Sequence, residues 1–146
     1  MDGRIAVNEE HRYFTLESAN RTLPLVRRIA EDICALYPTL RDRVEEFQRV
    51  SIDTATEEQL SELRSRIDEV ARQINSCLAE LDQIGCVFKG FEEGLIDFYT
   101  WHDGRPILLC WKVGEDEITH WHEVEAGYAG RQPVFPGMQT VDRQGV

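Results

Sequence analysis

The stretch that decides the fold runs from Asp97 to Pro133 and reads DFYTWHDGRPILLCWKVGEDEITHWHEVEAGYAGRQP. Asp103 and Gly104 stand between two runs in which apolar residues recur with a period of two. Because Asp-Gly supplies the two positive-φ residues of a type I′ turn, this pattern predicts a β-hairpin. The stretch also holds three tryptophans and three of the four histidines, so we look for a functional site here.

The hairpin turn fixes the register of its two strands. We predict strands at residues 86–89, 95–102, 105–113 and 118–124. The register places Thr100 opposite Ile107, Phe98 opposite Leu109, Ile96 opposite Trp111, and Asp97 beside Cys110 on the other face. A second turn at residues 114–117 would then place His120 opposite Trp111 and His122 opposite Leu109.

Upstream of the sheet, the sequence predicts two long helices. Apolar residues recur at intervals of three and four in residues 16–47 and again in residues 60–84. Thr56 and Gln59 form a capping box at the start of the second helix, and Gly85 provides a left-handed C-cap at its end. The two helices should pack as an antiparallel hairpin.

The composition limits the classes of function. The chain has 27 acidic and 16 basic residues and a net charge of -11, so a nucleic-acid backbone would be repelled. No apolar run is long enough to span a bilayer, and the N-terminus lacks the apolar core of a secretory signal. We therefore expect a soluble, cytoplasmic protein with no nucleic-acid or membrane partner. The four cysteines lack C-x-x-C spacing, which indicates buried, reduced thiols.

Two histidines of the last strand are candidate metal ligands. His120 and His122 lie two residues apart, so in a strand their imidazoles point to the same face and can hold one ion. Glu125 is the nearest third ligand, if strand pairing stops at Val124 and the chain turns. The alternative is that both imidazoles are packed beside Leu109 and Trp111. Asp97 and Cys110 lie side by side, but a cysteine nucleophile also needs a base such as histidine. We therefore expect no cysteine catalysis.

The Gly-rich segment after the last strand is a candidate ligand-binding loop. Arg131 offers a planar fork suited to a carboxylate or phosphate, and the candidate ligand-binding residues are Trp121, His122, Tyr128 and Arg131. Alternatively, Arg131 pairs with Glu115, Glu123 or Glu125 and pins the loop on the sheet.

Several segments of the chain resemble a family of short bacterial proteins of unknown function, DUF2203. The resemblance covers YFTLESANRTLPLVRRI at residues 13–29 and most of residues 94–133, including Trp121-His122-Glu123 and Gly127-Tyr128-Ala129-Gly130-Arg131. Members of the family often carry an aromatic residue where this chain has His120. This difference argues against a metal site at His120 and His122 and leaves His122 and Arg131 as the positions of interest. The resemblance implies no activity, because members of the family are described only as uncharacterised.

The combined prediction is one α+β domain over residues 1–136. A helical hairpin at 14–85 precedes an antiparallel sheet of three or four strands and a Gly-rich loop at 86–135, and residues 137–146 should fray. The apolar helix faces are wider than one hairpin seam, which predicts a homo-oligomer built through the helices. We expect a non-enzymatic interaction or regulatory module. The alternative is a small-molecule-binding or metal-dependent enzyme with a site around His120, His122, Glu125 and Arg131.

Overall fold

The computed structural model describes residues 11–144, in which a helical hairpin is followed by an antiparallel sheet. The elements are α1 (Leu16–Arg49), α2 (Glu57–Ile84), β1 (Val87–Gly90), β2 (Leu95–His102), β3 (Arg105–Lys112), β4 (His120–Glu123) and β5 (Gln132–Pro133). The strands lie side by side in chain order. The predicted architecture is confirmed, with five strands instead of three or four because two residues after the Gly-rich loop pair with β4. Neither helix in this part of the chain is apolar enough over a sufficient length to cross a membrane.

Local sequence signals set the ends of α2 as predicted. The Thr56 side chain accepts a hydrogen bond from the Gln59 backbone N–H at 3.0 Å, and the Gln59 side chain accepts one from the Thr56 N–H at 2.9 Å. This capping box satisfies two amides that the first helical turn leaves without partners. Gly85 ends the helix in the left-handed conformation, with φ at 105°.

One face of the sheet packs against the helices and forms the core. Its fully buried side chains include Ile96, Phe98, Ile107, Leu109 and Trp111. The helices contribute Ala19, Leu23, Val26, Ile29, Ala30, Ile33, Val70, Ile74 and Leu81, all from the half of the hairpin next to the sheet. Farther from the sheet, the apolar seam between the helices is only half-buried, because no third layer formed by residues 11–144 covers it.

The hairpin between β2 and β3 has the predicted register. Thr100 pairs with Ile107, Phe98 with Leu109, Ile96 with Trp111, and Asp97 with Cys110. Both turn residues have positive φ, 51° at Asp103 and 76° at Gly104, as a type I′ turn requires. Because alternation is strict along both strands, Asp97 and Cys110 point away from the helices.

The predicted register between β3 and β4 is wrong by one residue. His120 pairs with Cys110 and His122 with Leu108, where we expected Trp111 and Leu109. Residues 113–119 form a longer connection, in which Ile118 is buried and its N–H donates to the Asn20 side chain of α1 at 2.8 Å. A slip of one residue moves every side chain of a strand to the opposite face. His120 and His122 therefore lie on the face that carries Asp97 and Cys110.

The segments at the two ends of the described chain cover part of this second face. Tyr13 packs against Trp101 with ring centroids 5.2 Å apart, and Val141 and Trp101 exchange two backbone hydrogen bonds of 2.9 Å. The His102 ring also contacts the Gln139 carbonyl at 2.7 Å. Gln139 and Val141, which belong to the segment expected to fray, make these hydrogen bonds beside the free edge of β2. Residues 145–146 lie outside the described chain.

Candidate functional site

Three side chains of different chemistry converge in the middle of the second sheet face. Asp97 of β2, Cys110 of β3 and His122 of β4 place one ligand atom each within 4.8 Å of the other two. All three residues are buried, with exposed fractions of 3%, 1% and 2%. We refer to them as the Asp-Cys-His cluster. Neighbouring strands supply one residue each, so the sheet backbone fixes their spacing.

The hydrogen bonds of His122 define the state of its ring. Nδ1 lies 2.8 Å from the backbone carbonyl of Glu123, which can only accept, so Nδ1 carries a proton. Nε2 lies 3.2 Å from Asp97 Oδ1. Burial alone would lower the pKa of His122, but hydrogen bonds with Asp97, Cys110 and the Glu123 carbonyl outweigh it and raise the pKa to about 10. Without a metal ion, the cluster is therefore an imidazolium beside a carboxylate.

The cluster does not have the geometry of a nucleophilic triad. In such a triad the nucleophile contacts one imidazole nitrogen and the carboxylate orients the ring through the other. Here the Glu123 carbonyl occupies Nδ1, and Asp97 lies on the Nε2 side. Neither ring nitrogen of His122 is therefore free to act as a base for the Cys110 thiol alone. The arrangement instead resembles ligands placed around a common point.

A cavity of about 240 Å³ adjoins the cluster. Its wall consists of the three cluster residues together with Lys89, Leu95, Leu108, Val124, Gly127 and Tyr128. The size suits a small ligand, since it lies just below the range of typical drug-binding pockets. One side of the Asp-Cys-His cluster therefore faces a space that a ligand can enter.

Arg131 pins the Gly-rich loop beside this cavity. Its guanidinium donates to both Glu115 carboxylate oxygens at 3.0 and 3.2 Å and to the Cys110 carbonyl at 3.1 Å. Burial would raise the pKa of Glu115, but the hydrogen bonds from Arg131 and from the Lys112 N–H lower it. The guanidinium also lies 4.8 Å from the Tyr128 ring centroid. Of the two roles considered for Arg131, the structure shows the pairing with Glu115.

The other predicted site residues are only partly brought together. His122 and Tyr128 line the same cavity, whereas Trp121 points to the opposite face and joins the core. Within residues 11–144, His120 and Glu125 form no ligand group with His122. The His120 ring contacts the Thr119 hydroxyl at 2.9 Å, and Glu125 is exposed beyond the end of β4. The structure therefore does not bring His120, His122 and Glu125 together as predicted, and the group of potential ligands in residues 11–144 is Asp97, Cys110 and His122.

All four cysteines are free thiols. Cys86 and Cys110 are buried and Cys34 and Cys77 are half-buried. Burial raises the pKa of Cys86 to about 12, which keeps that thiol protonated and unreactive. Only Cys110 lies in a group of potential metal ligands within the described part of the chain.

A comparison with protein families identifies the chain. The model described as "Uncharacterized conserved protein (DUF2203)" matches residues 12–134, which include both helices, all five strands and the Asp-Cys-His cluster. The chain belongs to the DUF2203 family. This confirms the resemblance noted from the sequence. No curated protein and no solved structure matches the chain. The DUF2203 description names no activity, so the function must be inferred from the site.

Proposed function

We propose that this DUF2203 protein binds a divalent transition-metal ion through Asp97, Cys110 and His122, with zinc as the preferred ion. The bound ion would then serve to bind or activate a small molecule. The observation that supports the proposal is the convergence of three different ligand atoms within 4.8 Å beside a cavity. Ligand atoms around a tetrahedral zinc ion lie about 3.5 Å apart, as bond lengths of 2.0–2.3 Å require. Small side-chain movements would complete such a site.

The chemistry of the three residues fits zinc. Thiolate sulfur, imidazole nitrogen and carboxylate oxygen are its usual protein ligands. The Glu123 carbonyl fixes the His122 ring through Nδ1, which is the outer contact that metal-binding histidines commonly make. Three protein ligands leave one coordination position for water or substrate, as in catalytic zinc sites. The cavity is lined by the same three residues, so a ligand in it could reach that position.

The proposed location is the cytoplasm, where glutathione and thioredoxin keep thiols reduced. Cys110 would then remain available as a thiolate ligand. A bound ion would polarise a carbonyl or phosphoryl oxygen in the cavity, or lower the pKa of its water towards 7. The residues of this chain would hold the ion and shape the space in which the reaction occurs.

Metal titration of untagged protein tests the proposal. We expect chelator-treated protein to bind one zinc ion per chain, and cobalt to give a thiolate charge-transfer band. Cys110→Ser and His122→Ala should each weaken zinc binding by at least about 100-fold, since the loss of a direct ligand exceeds the 10–100-fold cost of losing an outer contact. Cys86→Ser is the matched control, because Cys86 is also buried but lies outside the cluster.

Two results would contradict the metal proposal. One is the absence of stoichiometric zinc, manganese, iron, cobalt or nickel binding by folded wild-type protein. The other is zinc binding that Cys110→Ser and His122→Ala leave unchanged. Circular dichroism of each variant establishes that it has kept its helices.

A specific feature of the hairpin favours a second function, self-association. Beyond the sheet, the seam residues are half-buried, namely Leu40, Val44, Phe47, Leu60, Leu63 and Ile67. A second hairpin packed on this surface would complete a four-helix bundle and bury them. We propose that the protein forms a homodimer in this way.

Light scattering behind a sizing column tests the dimer. We expect the mass of two chains at micromolar concentration, and the mass of one chain for Leu63→Glu. Ser65→Glu is the matched control, because it adds the same charge to α2 at an exposed position. A wild-type monomer, or a dimer that Leu63→Glu leaves intact, would contradict the proposed interface.

A further inference from the structure

Lysine is rare in this chain, and its two lysines lie in the same region of the sheet. The sequence contains 16 basic residues, of which 14 are arginines and only Lys89 and Lys112 are lysines. Lys89 lines the cavity beside the Asp-Cys-His cluster. The Lys112 ammonium lies 5.8 Å from the ring centroid of Tyr128, another cavity residue. Lys89 thus lies in the wall of one small cavity and Lys112 lies beside a residue of that wall, in a protein whose net charge is -11.

The strand register places the two lysines on either side of Leu95, a residue of the cavity wall. Leu95 of β2 pairs with Gly90 on one side and with Lys112 on the other, and Lys89 immediately precedes Gly90. Their backbones are therefore two strand spacings apart, about 10 Å. Asp97 follows Leu95 by two residues on the same face, about 7 Å farther along the strand. The lysines therefore flank β2 at Leu95, and Asp97 of the cluster lies farther along the same strand.

Neither lysine is neutralised by a carboxylate. Within residues 11–144, no ion pair involves Lys89 or Lys112. Two acidic side chains of this region are engaged elsewhere, Glu115 by Arg131 and Asp97 by His122. Two unpaired ammonium groups near one cavity produce a local positive potential in an acidic protein. Such a potential attracts anions of small size.

We propose that the cavity binds a small anion, with a phosphate or carboxylate group held between Lys89 and Lys112. The inference deepens the proposed metal function, because another oxygen or nitrogen of the same molecule would then reach the ion at the cluster. Leu95, Leu108 and Val124 provide an apolar part of the cavity wall. A molecule with one anionic end and one end that can ligate a metal fits this arrangement. The lysines would select the substrate by charge, and Asp97, Cys110 and His122 would hold the ion that its other end reaches.

The test measures anion binding by calorimetry in metal-free and in zinc-loaded protein. The probes are inorganic phosphate, malonate and acetate, which distinguish a phosphate from a dicarboxylate or monocarboxylate. We expect saturable binding of at least one probe. Lys89→Gln and Lys112→Gln should each weaken it about tenfold, the effect of losing one charged contact. Arg28→Gln is the matched control, since it removes the same charge from an exposed position on α1.

The design separates failure of this inference from failure of the metal proposal. Zinc affinity should be unchanged in both lysine variants, because neither lysine belongs to the Asp-Cys-His cluster. Anion binding that depends on the lysines in protein that takes up no zinc would support the anion site and overturn the metal site. Zinc binding without any saturable anion binding would overturn the anion site alone. Equal weakening by Lys89→Gln, Lys112→Gln and Arg28→Gln would also overturn it, since the effect would then come from net charge.

Discussion

Gly94→Ala should lower the free energy of unfolding by about 2–5 kcal/mol, one of the two largest effects we expect in this protein. Two costs add at this position. Gly94 has a φ of 72°, a conformation that costs a residue with a side chain about 1–2 kcal/mol. A Cβ there would also lie 2.9 Å from Cys34 Sγ and closer still to Val113 Cγ2. Overpacking of this kind costs about 1–3 kcal/mol.

Gly104→Ala is the matched control for this prediction. Gly104 has nearly the same φ, 76°, but no atom lies within 4 Å of a Cβ placed there. It should therefore show the backbone cost alone, about 1–2 kcal/mol. Urea denaturation of both variants measures the difference. Equal losses in the two variants would contradict the packing argument, because they would show that Val113 and Cys34 move aside freely.

Elements with strong local signals could be predicted from the sequence. The capping box at Thr56 and Gln59 fixes where α2 begins, and Gly85 fixes where it ends. Asp103-Gly104 determines both the turn type and the register of the hairpin, because a two-residue loop leaves no freedom in pairing. In each case the decisive atoms lie within four residues of one another along the chain.

The site could not be predicted fully from the sequence, because the register of β4 against β3 depends on residues that are distant in the chain. Residues 113–119 are held by α1, through Asn20 and through the Arg27 guanidinium, which donates to the Asp116 carbonyl at 2.8 Å. Nothing in the local sequence shows these contacts. An error of one residue placed His122 beside Leu109 instead of beside the predicted pair of Asp97 and Cys110. The local sequence thus predicts that Asp97 and Cys110 lie side by side but places His122 on the wrong face of the sheet.

The partners of the second sheet face were also hidden in the sequence. Tyr99 and Trp101 lie on the second sheet face, and both are buried. The residues that contact them come from opposite ends of the described chain, with Tyr13 on one side and Val141 on the other. Single-sequence patterns report the period of an element but not which distant segment packs on it.

The second large effect is expected for Asp97→Ala in metal-free protein. The Asp97 and His122 side chains are only 4% and 3% exposed, and with the raised pKa the imidazole is charged at pH 7. Removal of the carboxylate leaves the buried imidazole without its partner, which costs about 3–5 kcal/mol. Because each single change leaves an unpaired polar group, Asp97→Ala combined with His122→Ala should cost less than the sum of the two.

Glu123→Ala provides the matched control for the buried pair. Glu123 lies next to His122 in β4 and pairs with Arg105, but the two side chains are 41% and 44% exposed. Solvent screens such a pair, so its loss should cost less than about 1 kcal/mol. Urea denaturation at pH 7 with a chelator present measures all four variants. Equal losses for Asp97→Ala and Glu123→Ala, or strictly additive losses for Asp97 and His122, would show that the buried pair does not stabilise the sheet as a unit.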